Sequence, residues 1–398
     1  MRGLAAAALS LAMACCSSTP GPSGAPLGEN HRLGTQLFSP RYGFGNGTRL
    51  EEGAGEILAM GSNILKFEVD ANAFASYGLP DNPGIKTLRD FFLLDPSCRA
   101  VLEMPFEYYL IWAYPLGHAK SCRDEWTAVE KQREYDEIYG LVRHLLETCN
   151  GSGKTFLLGH WEGDWTLLGG YDINAEPDPA DVRGMIDWLN LRQSAVDAAR
   201  RDTPHSNVWV YQYTEVNLVQ KGIQGRSCVS NDVLPATSVD LVSYSSYDSL
   251  DLSEGLPAMR NRIKSALDHV ASKLPAKETD WPWKRVFIGE YGFPLRVVGG
   301  SPEKQDAASR AVMRAGLEWG CPFILYWQLY DNEVDRETGG SAGFWLVDDK
   351  GKRQPVYHTH RDFLGHMRNW SKGGRRPPEA VAAEALGWFE EREKGEKQ

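Results

Sequence analysis

Two stretches of the sequence decide the fold: KTFLLGHWEGDW at Lys154–Trp165 and KRVFIGEYGFP at Lys284–Pro294. Each contains a run of apolar residues that breaks at one glutamate, Glu162 or Glu290, among aromatic and glycine residues. Apolar runs this continuous are typical of a strand in a parallel sheet that is covered on both faces. We therefore expect each glutamate to lie at the carboxyl-terminal end of a buried parallel strand, where barrel enzymes place their reactive groups.

Strand and helix patterns alternate along the rest of the chain. The segments with strand character are Leu33–Phe38, Asn63–Val69, Arg99–Met104, Lys154–His160, Asn207–Tyr213, Asp240–Tyr244, Arg285–Gly289 and Pro322–Trp327. Amphipathic helical stretches lie between them, among them Asp124–Thr148, Asp181–Arg201, Ala258–Leu274 and Pro302–Trp319. Repetition of strand and helix predicts an α/β fold with a parallel sheet, and eight repeats predict closure into a (β/α)8 TIM barrel.

The length of 398 residues accommodates one such barrel with extensions. Residues 1–15 have one early arginine followed by a small apolar stretch, which is typical of a signal peptide and too short to span a bilayer. We expect a flexible Ser/Pro/Gly leader at residues 16–30 and the barrel at residues 31–371. The charged tail at residues 372–398 contains a helical pattern, which predicts a helix that either packs on the barrel or stays mobile.

The amino-terminal pattern predicts export. Cleavage before Cys15 with lipid attachment there resembles bacterial lipoproteins, and an ordinary secretory signal cleaved nearby is the alternative. Either one predicts a secreted, periplasmic or cell-surface protein that meets the membrane only through an amino-terminal anchor. The net charge of −10 and the lack of a basic patch argue against nucleic acid as a partner.

The cysteines of the body of the chain indicate no metal site. They are Cys98, Cys122, Cys149, Cys228 and Cys321. Because no CxxC spacing occurs, the sequence predicts no zinc centre, and nothing in it indicates a cofactor. One or two disulfides are compatible with this number, and Cys98–Cys122 is the closest pair in sequence.

A pair of carboxylates at one barrel mouth is the minimum required to cleave a glycosidic bond. One glutamate after a strand is more often a solvated loop residue or the partner of an arginine. Two of them, each flanked by glycine and aromatic residues, favour catalysis, because burial beside aromatic rings raises the pKa of an acid. Asp164 is an alternative acid to Glu162, and Glu215 after the fifth strand is a weaker one.

The arrangement of these segments resembles the retaining β-glycosidases of clan A. Besides the two glutamate segments, VDLVSYSSYD at Val239–Asp248 is similar to the sixth strand of those enzymes, and FILYW at Phe323–Trp327 is similar to their eighth. The later GFWLVDD at Gly343–Asp349 is like their closing segment. The resemblance covers most of residues 31–366.

The resemblance implies a role for each matching residue. Glu162 would be the general acid and base at the fourth strand, and Glu290 the nucleophile at the seventh. Tyr247 would hydrogen-bond the nucleophile and keep it ionised, and Trp327 would form the floor of the subsite for the reacting sugar. The implied activity is hydrolysis of O-glycosidic bonds with retention, without a cofactor.

Two positions depart from the pattern of clan A. Trp161, preceded by His160, occupies the place where those enzymes usually carry an asparagine that binds the sugar 2-hydroxyl. Ser245 stands where they usually have a histidine of the sixth strand. The chain is therefore interpreted as a divergent member, and the 2-hydroxyl contact is unassigned.

Aromatic residues make up 11% of the chain, with 13 Trp and 16 Tyr. Because sugar rings stack on aromatic faces, we expect Trp161, Trp165 and Trp327 to contact a carbohydrate, with Asp164 as a polar neighbour. Two alternatives remain open at this point. One is a carbohydrate-binding barrel that has lost catalysis, and the other is a transglycosylase that uses the same intermediate.

Overall fold

The computed structural model describes residues 31–117, 121–372 and 376–395. Its strands are β1 (Leu33–Leu37), β2 (Ile64–Val69), β3 (Tyr108–Ala113), β4 (Thr155–Gly159), β5 (Trp209–Val216), β6 (Leu241–Ser245), β7 (Val286–Tyr291) and β8 (Ile324–Tyr326). They pair in parallel and in chain order, and β8 returns to β1. The predicted (β/α)8 barrel is confirmed. The signal peptide and leader predicted within residues 1–30 lie outside the described residues.

Helices connect the strands and surround the barrel. They are α1 (Arg49–Met60), α2 (Ala73–Tyr77), α3 (Leu88–Leu94), α4 (Pro96–Glu103), α5 (Ala128–Thr148), α6 (Gly163–Leu168), α7 (Pro179–Asp202), α8 (Val219–Ile223), α9 (Leu256–Lys273), α10 (Pro302–Trp319), α11 (Pro355–Ser371) and α12 (Pro378–Gly395). The four amphipathic stretches singled out in the sequence correspond to α5, α7, α9 and α10. None of the helices in the described part of the chain has the length and apolar character needed to cross a bilayer.

The third predicted strand is wrong. Arg99–Met104 falls almost entirely within α4, and the strand is the following segment YYLIWA, which forms β3. The helix begins at this point because the Asp95 side chain accepts a hydrogen bond from the Cys98 N–H, at 2.8 Å, and Pro96 occupies the first turn. An aspartate cap followed by proline is a strong signal for a helix start.

The disulfides that the number of cysteines allowed do not form among the described residues. Cys98 lies on α4 and Cys122 precedes α5, and both thiols are free and buried. Cys149, Cys228 and Cys321 are free as well. Burial raises the pKa of the Cys122 thiol to about 12, which keeps it in the unreactive protonated form. The described cysteines therefore behave as small core residues.

Aromatic rings fill much of the barrel interior. Tyr108, Tyr211, Tyr213, Phe287 and Phe323 belong to one buried cluster inside the strands. A second, larger cluster of aliphatic and aromatic residues fills the space between the barrel and its helices. The two layers together form the core that fixes the position of each strand end.

The amino-terminal end of the barrel is closed by residues that precede its first and last strands. Arg32 lies directly before β1, and its Nη1 donates a hydrogen bond to the carbonyl oxygen of Cys321, before β8, at 2.8 Å. The chain therefore enters the barrel at the end opposite the mouth. The helix in the charged tail, α12, packs against α10 and α11, with Phe389 against Phe363 at 5.5 Å between ring centroids.

Candidate active site

Glu162 and Glu290 both lie at the carboxyl-terminal mouth of the barrel. Glu162 follows β4 and is the residue immediately before α6, where the chain turns from strand to helix. Glu290 lies within the last residues of β7. Their exposed fractions are only 8% and 4%. The strand numbers expected for the two glutamates are therefore the ones observed.

A β-bulge in β7 orients Glu290. The pairing of β7 with β6 skips Gly289, after which Ser245 lies opposite Glu290, and the pairing with β8 is irregular at the same place. Gly289 is needed because a β-carbon at this position would lie 1.7 Å from Ser243 Oγ. Bulges of this kind redirect a side chain and are frequent beside active sites. This feature cannot be read from the alternation of residues in the sequence.

Ser245 is a site residue whose role the sequence did not reveal. Its Oγ donates a hydrogen bond to Glu162 Oε1 at 2.6 Å, while its backbone is paired in register with Glu290. Ser245 thus contacts the Glu162 carboxylate and is the neighbour of Glu290 in the sheet. In the sequence, Ser245 stands out only as a departure from the histidine usual in clan A.

Burial and nearby negative charges govern the protonation of the two glutamates. Burial raises the pKa of Glu162 to about 8; the charges of Glu215 and Asp164 add to this, and the hydrogen bond from Ser245 opposes it. Burial also raises the pKa of Glu290 well above its usual range, and the negative charge of Glu162 is the next largest cause. Because the charge of Glu162 disfavours ionisation of Glu290, the state in which both carboxyls are ionised is disfavoured.

A buried ion pair lies beneath the carboxylates. Lys66 Nζ is 3.1 Å from Glu215 Oε2, and both side chains are fully buried. Lys66 Nζ also donates to the Gly289 carbonyl at 2.9 Å, next to the bulge, and Ser243 Oγ donates to Glu215 Oε2 at 2.6 Å. The positive charge of Lys66 lowers the pKa of both Glu162 and Glu290. The Glu215 carboxylate is therefore occupied by its ion pair with Lys66 and its hydrogen bond from Ser243.

Tyr247 lies beside Glu290, as the resemblance implied. Its contact lowers the pKa of Glu290, and the charge of Glu290 contributes to raising the pKa of Tyr247. Nevertheless, Tyr247 Oη and Glu290 Oε2 are buried and neither has a partner of full hydrogen-bond geometry among the described residues. Catalytic hydrogen bonds are often loose before substrate binds, so this arrangement leaves room for the contact to tighten.

Asp164 occupies a different environment from the one predicted. It is 1% exposed, and its carboxylate accepts hydrogen bonds from the backbone N–H groups of Asn217 at 2.9 Å, Leu218 at 3.0 Å and Val229 at 2.8 Å. It is not among the residues lining the cleft described below. This geometry suits an anchor for α6, and hence for Glu162, better than a contact with substrate.

His160 is likewise turned away from the mouth. Its Nδ1 lies 2.6 Å from the Trp161 carbonyl oxygen, and its Nε2 lies 2.8 Å from Thr214 Oγ1. Burial lowers the pKa of His160 to about 3, so the ring is neutral. His160 therefore holds β4 against β5, and Trp161 is the residue of this segment that faces the cleft.

A cleft of about 850 Å³ opens at the mouth. This volume is large for a small-molecule site and has room for more than one sugar ring. Its aromatic lining includes Phe38, Trp112, Tyr114, Trp161, Trp188 and Trp327. Two of these rings are positioned by hydrogen bonds: the Tyr114 hydroxyl accepts from the backbone N–H of Trp161 at 2.7 Å, and Trp327 Nε1 donates to Glu333 Oε1 at 3.1 Å.

The two glutamates lie behind the cleft wall. Neither lines the open volume, but Trp161 directly precedes Glu162 in the chain, and the Trp327 N–H donates to the carbonyl oxygen of Tyr291, the residue after Glu290, at 2.7 Å. Of the tryptophans expected to contact substrate, Trp161 and Trp327 thus lie in the cleft. Trp165, on α6, lies outside its lining.

The charged groups in the cleft lining are all acidic within the described part of the chain. Glu68, Asp70, Glu134 and Glu333 contribute carboxylates, and no lysine, arginine or histidine of the described residues lines it. Burial raises the pKa of Glu68 to about 7. No group of three or more His, Cys, Asp or Glu side chains in the described ranges is arranged to hold a metal ion.

Comparison with solved structures supports the fold. The chain is similar to a GH5_18 protein from Streptomyces cattleya in complex with Manβ1-4GlcNAc, with 13% identity, a TM-score of 0.56, and coverage of 87% of this chain and 82% of that one. It is also similar to a GH5_18 protein from Bifidobacterium longum subsp. infantis, with 14% identity, a TM-score of 0.55, and coverage of 85% and 79%. A family 5 xyloglucanase from Paenibacillus pabuli has 12% identity, a TM-score of 0.53, and coverage of 84% and 98%.

Comparison by sequence gives no further assignment. No protein-family profile matches the chain. No curated protein shows significant sequence similarity to it. The structural similarities therefore establish the shared barrel, and the activity has to be argued from the site itself.

Proposed function

We propose that this protein is an exported β-glycoside hydrolase that cleaves O-glycosidic bonds of an oligo- or polysaccharide with retention of configuration. The observation that carries the proposal is the pair formed by Glu162 and Glu290. Glu162 follows β4, Glu290 lies near the end of β7, and the charge of Glu162 raises the pKa of Glu290. Ser245 hydrogen-bonds Glu162 and is paired with Glu290 in the sheet, beside a cleft walled with tryptophans. Paired carboxyls of this kind are the equipment of glycosidases.

In the first step, protonated Glu162 donates its proton to the glycosidic oxygen while the Glu290 carboxylate attacks the anomeric carbon. The bond from that carbon to the leaving oxygen breaks, and a glycosyl ester of Glu290 forms. The raised pKa of Glu162, about 8, supports its role as the acid at neutral pH. In the second step, Glu162 accepts a proton from water, whose oxygen attacks the anomeric carbon and releases Glu290.

The neighbouring residues would set the protonation state and position of this pair. Lys66 and Tyr247 lower the pKa of Glu290 and so favour the ionised nucleophile. Trp327 would support the reacting sugar and Trp161 an adjacent ring, since both line the cleft. We assign Asp164 a structural role, because its oxygens accept three backbone hydrogen bonds. The residues so assigned carry out both steps without a cofactor.

The lining of the cleft favours neutral sugars. A uronic acid would place its carboxylate near the acidic groups described above, at an electrostatic cost. One of the similar structures is a complex with the β-linked disaccharide Manβ1-4GlcNAc, and another is a xyloglucanase. We therefore propose a neutral β-linked substrate and rank β-1,4-mannans and β-1,4-glucans first.

The deciding experiment measures release of reducing ends from β-mannans, β-glucans, xylans and galactans. Wild type should be active on at least one of them, and Glu290→Gln should lose activity. Glu337→Gln, at an exposed position, is the control and should match wild type. A Glu290→Gln rate within about tenfold of wild type would exclude Glu290 as the nucleophile, because loss of a nucleophile costs far more than 1.4 kcal/mol.

The acid role of Glu162 has its own test. Glu162→Ala should retain activity on substrates with good leaving groups, which need little protonation, and added azide should accelerate turnover by attacking the glycosyl ester. If neither occurs, Glu162 is not the acid and the assignment returns to Asp164.

A carbohydrate-binding protein without catalysis is the second candidate. It is favoured by the incomplete contact between Tyr247 and Glu290 and by the departures at Trp161 and Ser245. In that case the wild-type protein would bind an oligosaccharide and leave it intact for hours. A transglycosylase would instead produce chains longer than the substrate at high sugar concentration.

Export is proposed on the amino-terminal sequence. If Cys15 is the attachment site, the protein expressed in a Gram-negative host should incorporate a labelled fatty acid and fractionate with membranes. Cys15→Ser should abolish the label. Unlabelled protein in the culture medium or the soluble periplasm would indicate an ordinary secretory signal.

A further inference from the structure

Three aromatic rings cluster at the edge of the mouth, with Tyr171 in edge or tilted contact with each of the other two. The ring centroids of Trp161 and Tyr171 are 6.2 Å apart, and those of Trp165 and Tyr171 are 5.6 Å apart. We name Trp161, Trp165 and Tyr171 together the aromatic wing. Trp161 belongs to the cleft wall, whereas Tyr171 is 74% exposed, so the wing extends the aromatic surface of the cleft outward into solvent.

The wing is held in place by its own connection. Tyr171 lies just after α6, whose carboxyl-terminal cap is Gly169 in the left-handed conformation with a φ of 65°. Beyond the tyrosine, Arg226 Nη2 donates to the Asn174 carbonyl at 2.9 Å and to Glu176 Oε1 at 2.8 Å, and Lys221 donates to the Ala175 carbonyl. A connection tied on both sides of the exposed ring presents that ring in a fixed place, which reduces the entropy lost on binding.

Packing within the protein does not explain the exposed ring. Tyr171 belongs to neither buried cluster, and its neighbour Ile173 is also 55% exposed. A contiguous exposed apolar surface beside a cleft is typical of a ligand-binding surface, whereas single exposed apolar residues are common and need no explanation. A flat ring next to a carbohydrate cleft suits the C–H face of a sugar.

The position of Glu162 shows which sugar would lie there. In the proposed mechanism Glu162 protonates the oxygen of the bond that breaks, so the departing part of the substrate lies on the side of Glu162. Trp161 immediately precedes Glu162, and Trp165 lies on the helix that Glu162 begins. The wing is thus built on the same connection as the acid, away from the β7 nucleophile.

We infer that the aromatic wing is a binding site for the leaving-group units of a glycan chain, with Tyr171 stacking on a sugar beyond the point of cleavage. The inference rests on the proposed function and specifies it: the protein would cut within chains rather than remove single terminal sugars. Asp172 and Asp178, both exposed on the same connection, make an anionic membrane surface an unsuitable occupant.

The test compares Tyr171→Ala, Tyr171→Phe and wild type on two kinds of substrate. Cellohexaose and mannohexaose have leaving groups that reach the wing, whereas β-cellobiosyl and β-mannobiosyl fluoride release a single fluoride ion that does not. We expect kcat/KM of Tyr171→Ala on the hexasaccharides to fall about three- to tenfold, the range of one aromatic contact. The fluorides should react within about twofold of wild type, because a leaving group that makes no contact with the wing loses no stacking energy.

The controls separate stacking from loop damage. Tyr171→Phe keeps the ring and should match wild type on every substrate, and Ile173→Ala removes a neighbouring exposed side chain without removing a ring. An equal loss in Ile173→Ala, an unchanged hexasaccharide rate in Tyr171→Ala, or an equal loss on the fluorides would each overturn the inference.

Failure of the proposed function would give a different pattern. Wild type would then cleave neither the hexasaccharides nor the fluorides. In that case the wing is tested by titrating each hexasaccharide into the protein and measuring Kd from the change in tryptophan fluorescence. A Kd raised about three- to tenfold in Tyr171→Ala supports the wing as a sugar site, and an unchanged or undetectable Kd overturns it. Self-association of wild type that Tyr171→Ala abolishes would identify a protein contact and overturn it as well.

Discussion

Ser245 donates its hydroxyl to Glu162 at 2.6 Å although its backbone is paired with Glu290. One small residue of β6 therefore contacts both glutamates: its side chain bonds the Glu162 carboxyl, and its backbone pairs with that of Glu290. A hydrogen bond to the ionised form lowers the pKa of a carboxyl group. Ser245 thus opposes the effect of burial on Glu162 and keeps the acid near the pH at which it must both give and take a proton.

Removal of this hydrogen bond should move the pH dependence of activity. In Ser245→Ala the pKa of Glu162 should rise, so the alkaline limb of kcat/KM, expected near pH 8 in wild type, should shift upward. The rate at the optimum should fall about two- to tenfold through loss of one positioning contact. Ser246→Ala is the contrast, since Ser246 Oγ donates to the main-chain oxygen of Glu290 at 3.0 Å, and its alkaline limb should stay in place. An unmoved limb in Ser245→Ala would contradict this account.

Glu162 should destabilise the fold as pH rises. Its pKa is about 8 in the folded state against 4.5 ordinarily, so between these values the unfolded chain releases a proton that the folded protein retains. Wild type should therefore lose stability from pH 5 to pH 8 relative to Glu162→Gln, which cannot ionise. In thermal unfolding, the Tm of Glu162→Gln should exceed that of wild type at pH 8, and the difference between the two Tm values should be smaller at pH 5. Equal differences at both pH values would refute the raised pKa, and the exposed Glu337→Gln should follow wild type.

The buried Lys66–Glu215 pair should support both stability and activity. Lys66→Met leaves the Glu215 charge unpaired in the interior, which should cost about 3–5 kcal/mol in urea unfolding. The double variant Lys66→Met with Glu215→Gln should recover much of that stability, because no buried charge remains. Activity should be low in Lys66→Met, since the loss of Lys66 raises the pKa of Glu290. The double variant should regain part of it, because the charge of Glu215 also raises that pKa. A double variant no more stable than the single one would show that the ion pair is not the cause.

Asp164 should prove to be a positioning residue. In Asp164→Asn one carboxylate oxygen is replaced by an amide that cannot accept the backbone N–H groups, so stability should fall by about 1–3 kcal/mol. The value of kcat should decrease because Glu162 begins the helix that Asp164 anchors, but the shape of the pH profile should persist, and good leaving groups should bring no special recovery. Selective recovery with good leaving groups would instead make Asp164 the acid.

The sequence predicted the barrel and the strand of each glutamate because both depend on local patterns. Continuous apolar runs mark β4 and β7, and the flanking glycine and aromatic residues mark their mouth ends. The misplaced third strand left the count unchanged, since YYLIWA lies between the same neighbours as the segment first chosen. That error arose because Arg99–Met104 is apolar enough for a strand, while Asp95 and Pro96 start a helix there.

The contacts that set the chemistry could not be predicted, since they join residues far apart in the chain. Ser245 bonds a residue 83 positions away, and Lys66 pairs with one 149 positions away. Glu290 faces the site only because β7 bulges at Gly289, which no alternation pattern reveals. Asp164 is close to Glu162 in sequence and so resembles a catalytic neighbour. Its structural role depends on backbone donors that lie after β5, far along the chain.

The amino-terminal end of the barrel determines how the molecule would be oriented at a membrane surface. Arg32 joins the start of β1 to Cys321 at the end opposite the cleft, so whatever precedes residue 31 joins the fold on the face turned away from Trp161 and Trp327. If the protein is tethered through its leader, the tether would join the barrel at the pole opposite the cleft. Long glycans in the surrounding medium would then approach the open pole without passing the membrane.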